Sequence, residues 1–202
     1  MIDFLAVFIF FFAVIDPVGT IPVFIAVTRG ESEGAKKWIA VRAAAVASGI
    51  LIFFVVAGEL ILNAIDVPLA AFQIAGGIIL FLFALTMIFG DGKPGEELEL
   101  AESRSDTAVF PLAVPSLASP GAMLAAVLLT ENASYSLVQQ ALTMAMMLAV
   151  MLVALCAMLL AARIQRLIGD SGASVVSRVM GLILASVATA STLEGISSYF
   201  SL

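Results

Sequence analysis

The sequence predicts an all-α membrane protein with six transmembrane helices, arranged as two inverted three-helix repeats. Three observations support this fold class: the composition, a series of six long apolar runs, and a repeated break in spans one and four. The 202 residues are 62% hydrophobic and 12% charged, with a mean hydropathy of +1.17, whereas a soluble domain is nearer half apolar and a quarter charged. Residues 1–202 are therefore expected to form a single transmembrane domain.

The composition also excludes several classes of function. The chain has no histidine, which removes His-based metal sites, Ser-His-Asp triads and histidine proton relays. Its single cysteine, Cys156, cannot form an intramolecular disulfide. A net charge of −6 with only nine Lys and Arg argues against nucleic acid as a partner. We therefore expect no enzyme activity, no metal site and no cofactor other than a coupling H⁺ or Na⁺.

Six apolar runs provide the candidate spans. They lie at roughly 2–28, 37–64, 68–90, 108–130, 137–162 and 173–200. Each is at least as long as the roughly 20 residues that a helix needs to cross a bilayer. The first run has no basic segment before it and is interrupted by Asp16 and Pro17, so it is expected to be a span rather than a secretory signal peptide. The acidic segment 91–107 is expected to be a linker between two halves, residues 1–90 and 108–202.

The basic residues predict the orientation. Counting six spans, all nine fall in or beside the loops between spans one and two, three and four, and five and six; they are Arg29, Lys36, Lys37, Arg42, Lys93, Arg104, Arg163, Arg166 and Arg178. Basic loops stay in the cytoplasm. Both termini are therefore predicted to lie on the outer side of the membrane, with the 91–107 linker in the cytoplasm. If the number of spans were wrong by one, these basic residues would fall on both sides of the membrane.

The two halves resemble each other at an offset of about 103 residues, as repeated transporter halves do. Asp-Pro-Val-Gly at 16–19 in the first span corresponds to Ser-Pro-Gly at 119–121 in the fourth, and Gly77 in the third span corresponds to Gly181 in the sixth. Two consecutive repeats of three spans must insert in opposite orientations, because three is odd. Inverted repeats with broken helices at matching positions are typical of secondary transporters.

Each break pairs a helix-capping residue with proline. Proline removes a backbone donor and clashes with the preceding turn, whereas Asp or Ser followed by Pro is a favourable helix start. In span one, a first half-helix is predicted to end near Ile15, and a second is predicted to begin at Pro17 with Asp16 as its N-cap. Span four is predicted to begin its second half-helix at Pro120, with Ser119 as its N-cap.

Helix starts at the middle of the membrane favour an anion, because their free N–H groups carry a partial positive charge. A substrate carboxylate is expected to bind there, with the amides of residues 19, 20, 121 and 122 as donors and small residues leaving room for a small solute. The predicted substrate-binding residues are Asp16, Pro17, Gly19, Thr20, Ala118, Ser119, Pro120, Gly121 and Ala122. Asp16 and Glu194 are candidates for ion coupling.

Plainer interpretations stay open. The breaks can also be explained as proline kinks whose free backbone groups bond to neighbouring helices. Asp16 can be explained as a helix cap with no further role. An intramembrane aspartyl protease that uses Asp16 with Glu194 is disfavoured, because the sequence has no Gly-x-Gly-Asp motif.

The segments around the breaks resemble the signatures of a known family. Residues 10–24, Phe-Phe-Phe-Ala-Val-Ile-Asp-Pro-Val-Gly-Thr-Ile-Pro-Val-Phe, look like the first-span signature of the MarC family of integral membrane proteins, and residues 110–123 resemble its fourth-span signature. Ser119 stands where the family often has glycine. The resemblance implies a six-helix inner-membrane protein, distantly related to LysE-type exporters, with its site at the two breaks. It also implies small neutral amino acids as substrates, since archaeal members include transporters of glycine and alanine.

Together, the residues and the resemblance predict a secondary transporter of small neutral amino acids that works by alternating access and is driven by an ion gradient. No P-loop signature is present, so ATP is not the expected energy source. The alternatives are a passive channel, an exporter of another small solute, and a membrane scaffold that transports nothing. The expected partners are the solute and the lipid bilayer, and the sequence indicates no oligomeric state.

Overall fold

The part of the chain that the structure describes consists of helices and the short segments that connect them. The computed structural model describes residues 4–89, 106–132 and 135–200. Its helical segments are α1 (Phe4–Ile15), α2 (Thr20–Val27), α3 (Glu33–Ala64), α4 (Leu69–Phe89), α5 (Ala108–Leu117), α6 (Pro120–Leu128), α7 (Leu137–Leu159) and α8 (Ala161–Phe200). The all-α fold class predicted from the sequence is confirmed.

Among the described residues, five stretches are long and apolar enough to cross a membrane. They are α1 with α2 (Phe4–Val27), α3, α4, α7 and the part of α8 from Ser174 to Phe200. A sixth arises when α5 and α6, which meet at an angle of 55°, count as one bent span. The two composite spans are those in which the sequence predicts breaks. The inversion of the halves and the side on which the termini lie stay predictions. The predicted 91–107 linker lies outside the described residues, apart from residues 106 and 107.

Polar side chains and glycine set the ends of several helices. At the start of α3, Ser32 Oγ accepts a hydrogen bond from Ala35 N (3.3 Å). At the start of α7, Ser136 and Gln139 form a reciprocal capping box. Such caps satisfy N–H groups that a helix start leaves without a partner. Within α8, Gly169 has φ 67, a conformation suited to glycine, and the kink there separates the first part of α8 from its long apolar part.

Helices α4 and α8 make the most extensive helix–helix contact among the described residues. A Cβ atom added to Gly77 would lie 3.0 Å from the carbonyl oxygen of Ala188, and one added to Gly181 would lie 3.1 Å from that of Ala84. Small residues let helix backbones approach closely in membranes. In the sequence repeat, Gly77 corresponds to Gly181 and Ala84 corresponds to Ala188. Each of the two contacts is therefore the counterpart of the other under exchange of the two halves of the chain.

The other helix contacts exchange in the same way. Helix α1 packs on α7 as α5 packs on α3, and α2 packs on α8 as α6 packs on α4. The largest fully buried side chains come from both halves: Phe11, Ile15, Leu51, Leu80, Met87, Leu112, Leu117, Leu124, Met147, Met158 and Leu184. Within this apolar interior, the buried polar side chains of Asp16, Thr20, Ser116 and Ser119 gather at the two predicted breaks.

Candidate functional site

The first break lies between α1 and α2 and is organised by Asp16. Asp16 has φ 50, in the left-handed region that aspartate visits more readily than most residues. Its Oδ1 accepts a hydrogen bond from Gly19 N (2.9 Å). Its carbonyl oxygen accepts bonds from Thr20 N (3.2 Å) and Thr20 Oγ1 (3.1 Å). Asp16 therefore closes the start of the second half-helix.

The regular part of that half-helix begins later than the sequence predicts. Helix α1 ends at Ile15 as expected, but α2 begins at Thr20 rather than at Pro17. The left-handed backbone of Asp16 is the reason, because it makes residues 17–19 a turn that the Asp16 carboxylate closes. A Cβ atom at Gly19 would overlap that carboxylate, so a side chain there would displace the carboxylate from the turn.

The second break follows the prediction at Ser119. This residue is extended (φ −72, ψ 159), its Oγ accepts a hydrogen bond from Ala122 N (3.1 Å), and Pro120 opens α6. The segment before it, α5, is not a regular helix, since Phe110 and Val114 inside it have extended backbone angles. Each of these two residues precedes a proline, which drives the preceding residue away from helical geometry.

Hydrogen bonds join the two breaks. Ser119 Oγ donates to the carbonyl oxygen of Val14 (2.8 Å), in the last turn of α1. The hydroxyl oxygens of Thr20 and Ser116 lie 3.0 Å apart, within hydrogen-bond distance. The last four carbonyl groups of a helix have no partner within it. A side chain from one half of the protein therefore satisfies the interrupted backbone of the other half.

The junction is closed to solvent in this conformation. All the substrate-binding residues predicted from the sequence are buried except Pro120. Asp16 is 1% exposed, and a buried carboxylate is costly unless hydrogen bonds compensate its charge. Part of that compensation comes from Gly19 N–H, which lies where the α2 dipole is positive.

The amides expected to receive a substrate carboxylate are largely engaged within the protein. Gly19 N donates to Asp16 Oδ1, and Thr20 N donates to the Asp16 carbonyl oxygen. Ala122 N donates to Ser119 Oγ. An anion therefore has to displace one of these acceptors before it can bind any of these three amides.

Two residues have roles that the sequence analysis did not assign. Ser116 is part of the junction because its hydroxyl lies within hydrogen-bond distance of the Thr20 hydroxyl. The sequence offered a signal for this role, since Ser116 is a polar residue between two prolines in an apolar stretch. Gly121 packs against α4, because a Cβ atom there would overlap Leu80 Cδ1. Its lack of a side chain admits the neighbouring helix rather than leaving space for a solute.

The second coupling candidate, Glu194, lies on the α4–α8 pair. It is exposed on α8, and its Oε2 accepts a hydrogen bond from Gln73 Nε2 of α4 (3.2 Å). Its carboxylate thus contributes to the contact between these two helices, whereas the carboxylate of Asp16 is buried at the junction of the breaks. Of the two candidates, the structure places Asp16 at the break.

The apolar helices and the two interrupted spans define a multi-pass integral membrane protein. The chain belongs to the MarC family of integral membrane proteins, whose family model matches residues 1–200. The resemblance drawn from the two break motifs is thereby confirmed.

Similar proteins occur in archaea and bacteria. The chain is 33% identical to a UPF0056 membrane protein of Archaeoglobus fulgidus over 196 residues, which cover 96% of this chain and 92% of that protein. It is 32% identical to the UPF0056 membrane protein YvbG of Bacillus subtilis, with 96% and 94% covered. It is also 32% identical to the UPF0056 membrane protein YhcE of Escherichia coli, with 96% and 91% covered. No solved structure matches the chain significantly.

Proposed function

We propose that this protein is a secondary transporter of small neutral amino acids, of the size of glycine or alanine, that works by alternating access. The observation that carries the proposal is the hydrogen-bonded junction of two interrupted spans around a buried carboxylate. Irregular backbone within a membrane is tolerated where it is buried or lines a cavity. Interrupted helices of this kind form the sites of secondary transporters, and charges placed within spans commonly mark solute or ion pathways.

The substrate carboxylate is proposed to replace the Asp16 carboxylate at the start of α2. In the closed conformation, Gly19 N donates to Asp16 Oδ1 at 2.9 Å. A zwitterionic amino acid brings a carboxylate that competes for this N–H group. It also brings an ammonium group that binds the displaced Asp16 side chain and the carbonyl groups at the end of α1. The exchange leaves neither the amide nor the carboxylate without a partner, which a buried site requires.

Asp16 is proposed to couple transport to a proton gradient. Protonation removes the negative charge that holds Gly19 N–H, since charge-assisted hydrogen bonds are the stronger ones. The amide then becomes available to a substrate carboxylate, so proton and substrate enter the site together. The ammonium group of the substrate binds the carbonyl groups at the end of α1 in that state. Sodium binding at the same carboxylate is the alternative source of coupling.

Tight packing is proposed to limit substrate size. The position of a Cβ atom at Gly19 overlaps the Asp16 carboxylate, and Ala118 and Ala122 are fully buried at 0% exposure. Withdrawal of the Asp16 side chain therefore opens a small space whose walls are backbone and methyl groups. Such a space suits glycine and alanine and disfavours amino acids with larger side chains, because overpacking is destabilising.

The exchange of helix contacts between the two halves supports the inverted repeat on which alternating access depends. A two-fold relation requires that the Gly77–Ala188 contact be matched by one between Ala84 and Gly181, as observed. Two conformations that exchange the roles of the halves would open the junction to opposite sides of the membrane. The proposal includes an inner-membrane location with both termini outside, no enzyme activity and no cofactor beyond the coupling ion.

The test is uptake of radiolabelled glycine and alanine into proteoliposomes that contain the purified protein. Asp16→Asn retains an oxygen for Gly19 N–H but cannot exchange a proton, so we expect it to fold and to lose accumulation driven by a proton gradient. Gly49→Ala is the matched control, because a Cβ atom there meets open space, and it should transport as the wild type does.

Three results would overturn parts of the proposal. Full proton-driven accumulation by Asp16→Asn would remove Asp16 from the coupling. Uptake by the wild type without saturation or counterflow would replace the transporter with a passive channel. Saturable transport of a different solute, with no competition from glycine or alanine, would remove amino acids as the substrate class.

A further inference from the structure

A cleft of about 260 Å³ lies where the connection between α2 and α3 meets the junction of α7 and α8. Three cations, Arg29, Lys36 and Lys37, line it together with the carboxylate of Glu33. Lys36 Nζ pairs with Glu33 Oε1 at 3.0 Å. The lining therefore carries two positive charges in excess, those of Arg29 and Lys37. Both of these residues are exposed.

The rest of the cleft wall is largely apolar. Phe24 and Ile25 come from the end of α2, and Met158 and Leu159 from the end of α7. Leu159 is 46% exposed, so this wall continues onto the outer face of the helix bundle. These residues occupy the last turns of candidate spans, where the hydrocarbon region of a bilayer meets its headgroup layer. The cleft thus combines cations with an apolar wall at the ends of two candidate spans.

We propose that this cleft binds the phosphate of an anionic phospholipid, with an acyl chain lying along the end of α7. Basic pockets between transmembrane helices attract anionic headgroups, and a guanidinium group matches the geometry of phosphate oxygens. Gly30, which also lines the cleft, has open space where a side chain would lie. The apolar wall favours a lipid over free phosphate, because only the lipid covers it.

The site is independent of the transported solute. A zwitterionic lipid carries an ammonium group that the two excess cations repel, so the cleft is expected to select lipids with net negative charge. Because the chain segments that form it connect successive spans of both halves, the bound lipid would link the α2–α3 connection to the α7–α8 junction and raise the stability of the folded protein.

The experiment measures the melting midpoint of delipidated protein in detergent while phosphatidylglycerol, phosphatidylcholine or inorganic phosphate is added. We expect a saturable rise with phosphatidylglycerol only. The double variant Arg29→Gln/Lys37→Gln should raise the half-saturating concentration of this lipid about 30-fold, at the usual contribution of each cation near a membrane surface. Arg166→Gln/Arg178→Gln removes two exposed cations outside the cleft and is the matched control, which should respond like the wild type.

A second variant tests the cleft without changing its charge. Ala162 is an exposed residue of the lining, so Ala162→Trp should fill the cleft, preserve the fold and abolish the effect of phosphatidylglycerol. If both double variants weakened the response to phosphatidylglycerol equally, the effect would come from general surface charge rather than from the cleft. An equal response to phosphatidylcholine would overturn the charge selectivity, and an equal response to inorganic phosphate would overturn the lipid. An unchanged lipid response in Ala162→Trp would place the bound lipid elsewhere.

Discussion

Replacing Ser119 with alanine removes two hydrogen bonds, one within the start of α6 and one to the other half of the protein. The Ser119 hydroxyl accepts a bond from Ala122 N (3.1 Å) and donates one to the carbonyl oxygen of Val14 (2.8 Å). Ser119 is 1% exposed, so water does not replace the hydroxyl. The backbone of Ser119 is extended, which alanine also adopts, so the substitution tests the hydroxyl alone.

The expected loss of stability follows from these two bonds. Loss of an N-cap side chain costs about 1 kcal/mol. Leaving a buried backbone acceptor without its donor costs about 1–3 kcal/mol. We therefore expect Ser119→Ala to lower the free energy of unfolding by about 2–4 kcal/mol in total.

Ser136→Ala is the matched control. Ser136 also caps a helix start, with its Oγ accepting a bond from Gln139 N (3.4 Å), but it is exposed and bonds within its own helix start. We expect a loss of about 1 kcal/mol for this variant. Unfolding of the purified protein in detergent, followed through the fluorescence of its single tryptophan and by circular dichroism, measures both. Equal losses would show that the bond between the breaks contributes nothing and would refute the reasoning.

Three further predictions rest on other contacts. Gly19→Ala, whose Cβ atom would overlap the neighbouring carboxylate, should lose glycine and alanine uptake while Gly49→Ala keeps it; retained uptake in the first variant would contradict the site. Gly181→Ala places a Cβ atom 3.1 Å from a carbonyl oxygen of α4 and should cost about 1–3 kcal/mol by overpacking, so an unchanged thermal midpoint would count against the tight α4–α8 packing. Arg42→Gln removes an ion pair with Asp106 (2.8 Å) in which both side chains are partly exposed, so it should cost less than about 1 kcal/mol. It should also shift the emission of Trp38, whose ring centroid lies 4.9 Å from the guanidinium carbon of Arg42. A large loss of stability with unchanged emission would contradict both expectations.

The positions of the breaks were predictable because their signals are local. A capping side chain followed by proline favours a helix start at or near that position, whatever packs around it. The cap at Ser119 and the start of α6 at Pro120 therefore agree with the prediction. The end of α1 at Ile15 agrees for the same reason, because the residue before proline avoids helical geometry.

The late start of α2 depends on a backbone angle that the residue types do not specify. Asp16 tolerates both the extended conformation of an ordinary N-cap and the left-handed conformation that it adopts. The irregular path of α5 likewise arises from two prolines spaced four residues apart, at Pro111 and Pro115. One such proline could end a helix, whereas the pair yields a segment that is neither a regular helix nor a simple turn.

The contacts between the breaks were out of reach for a different reason. Ser119 reaches Val14, and Ser116 reaches Thr20, across segments that are far apart in sequence, so no local pattern indicates them. The repeat predicts that two breaks exist and not which side chains bond between them. For Glu194, the position within a span suggested a coupling role. In the structure, its carboxylate accepts a hydrogen bond from Gln73 of the neighbouring helix, a contact that the sequence did not indicate.

Amino-acid binding to the purified protein, measured as a thermal shift over a panel of amino acids, tests the central claim most directly. Glycine or alanine should raise the melting midpoint saturably in the wild type and in Gly49→Ala. Gly19→Ala should melt cooperatively without ligand and show no such rise. A cooperatively folded wild-type protein that no amino acid stabilises would contradict a site for small neutral amino acids at the junction of the two breaks.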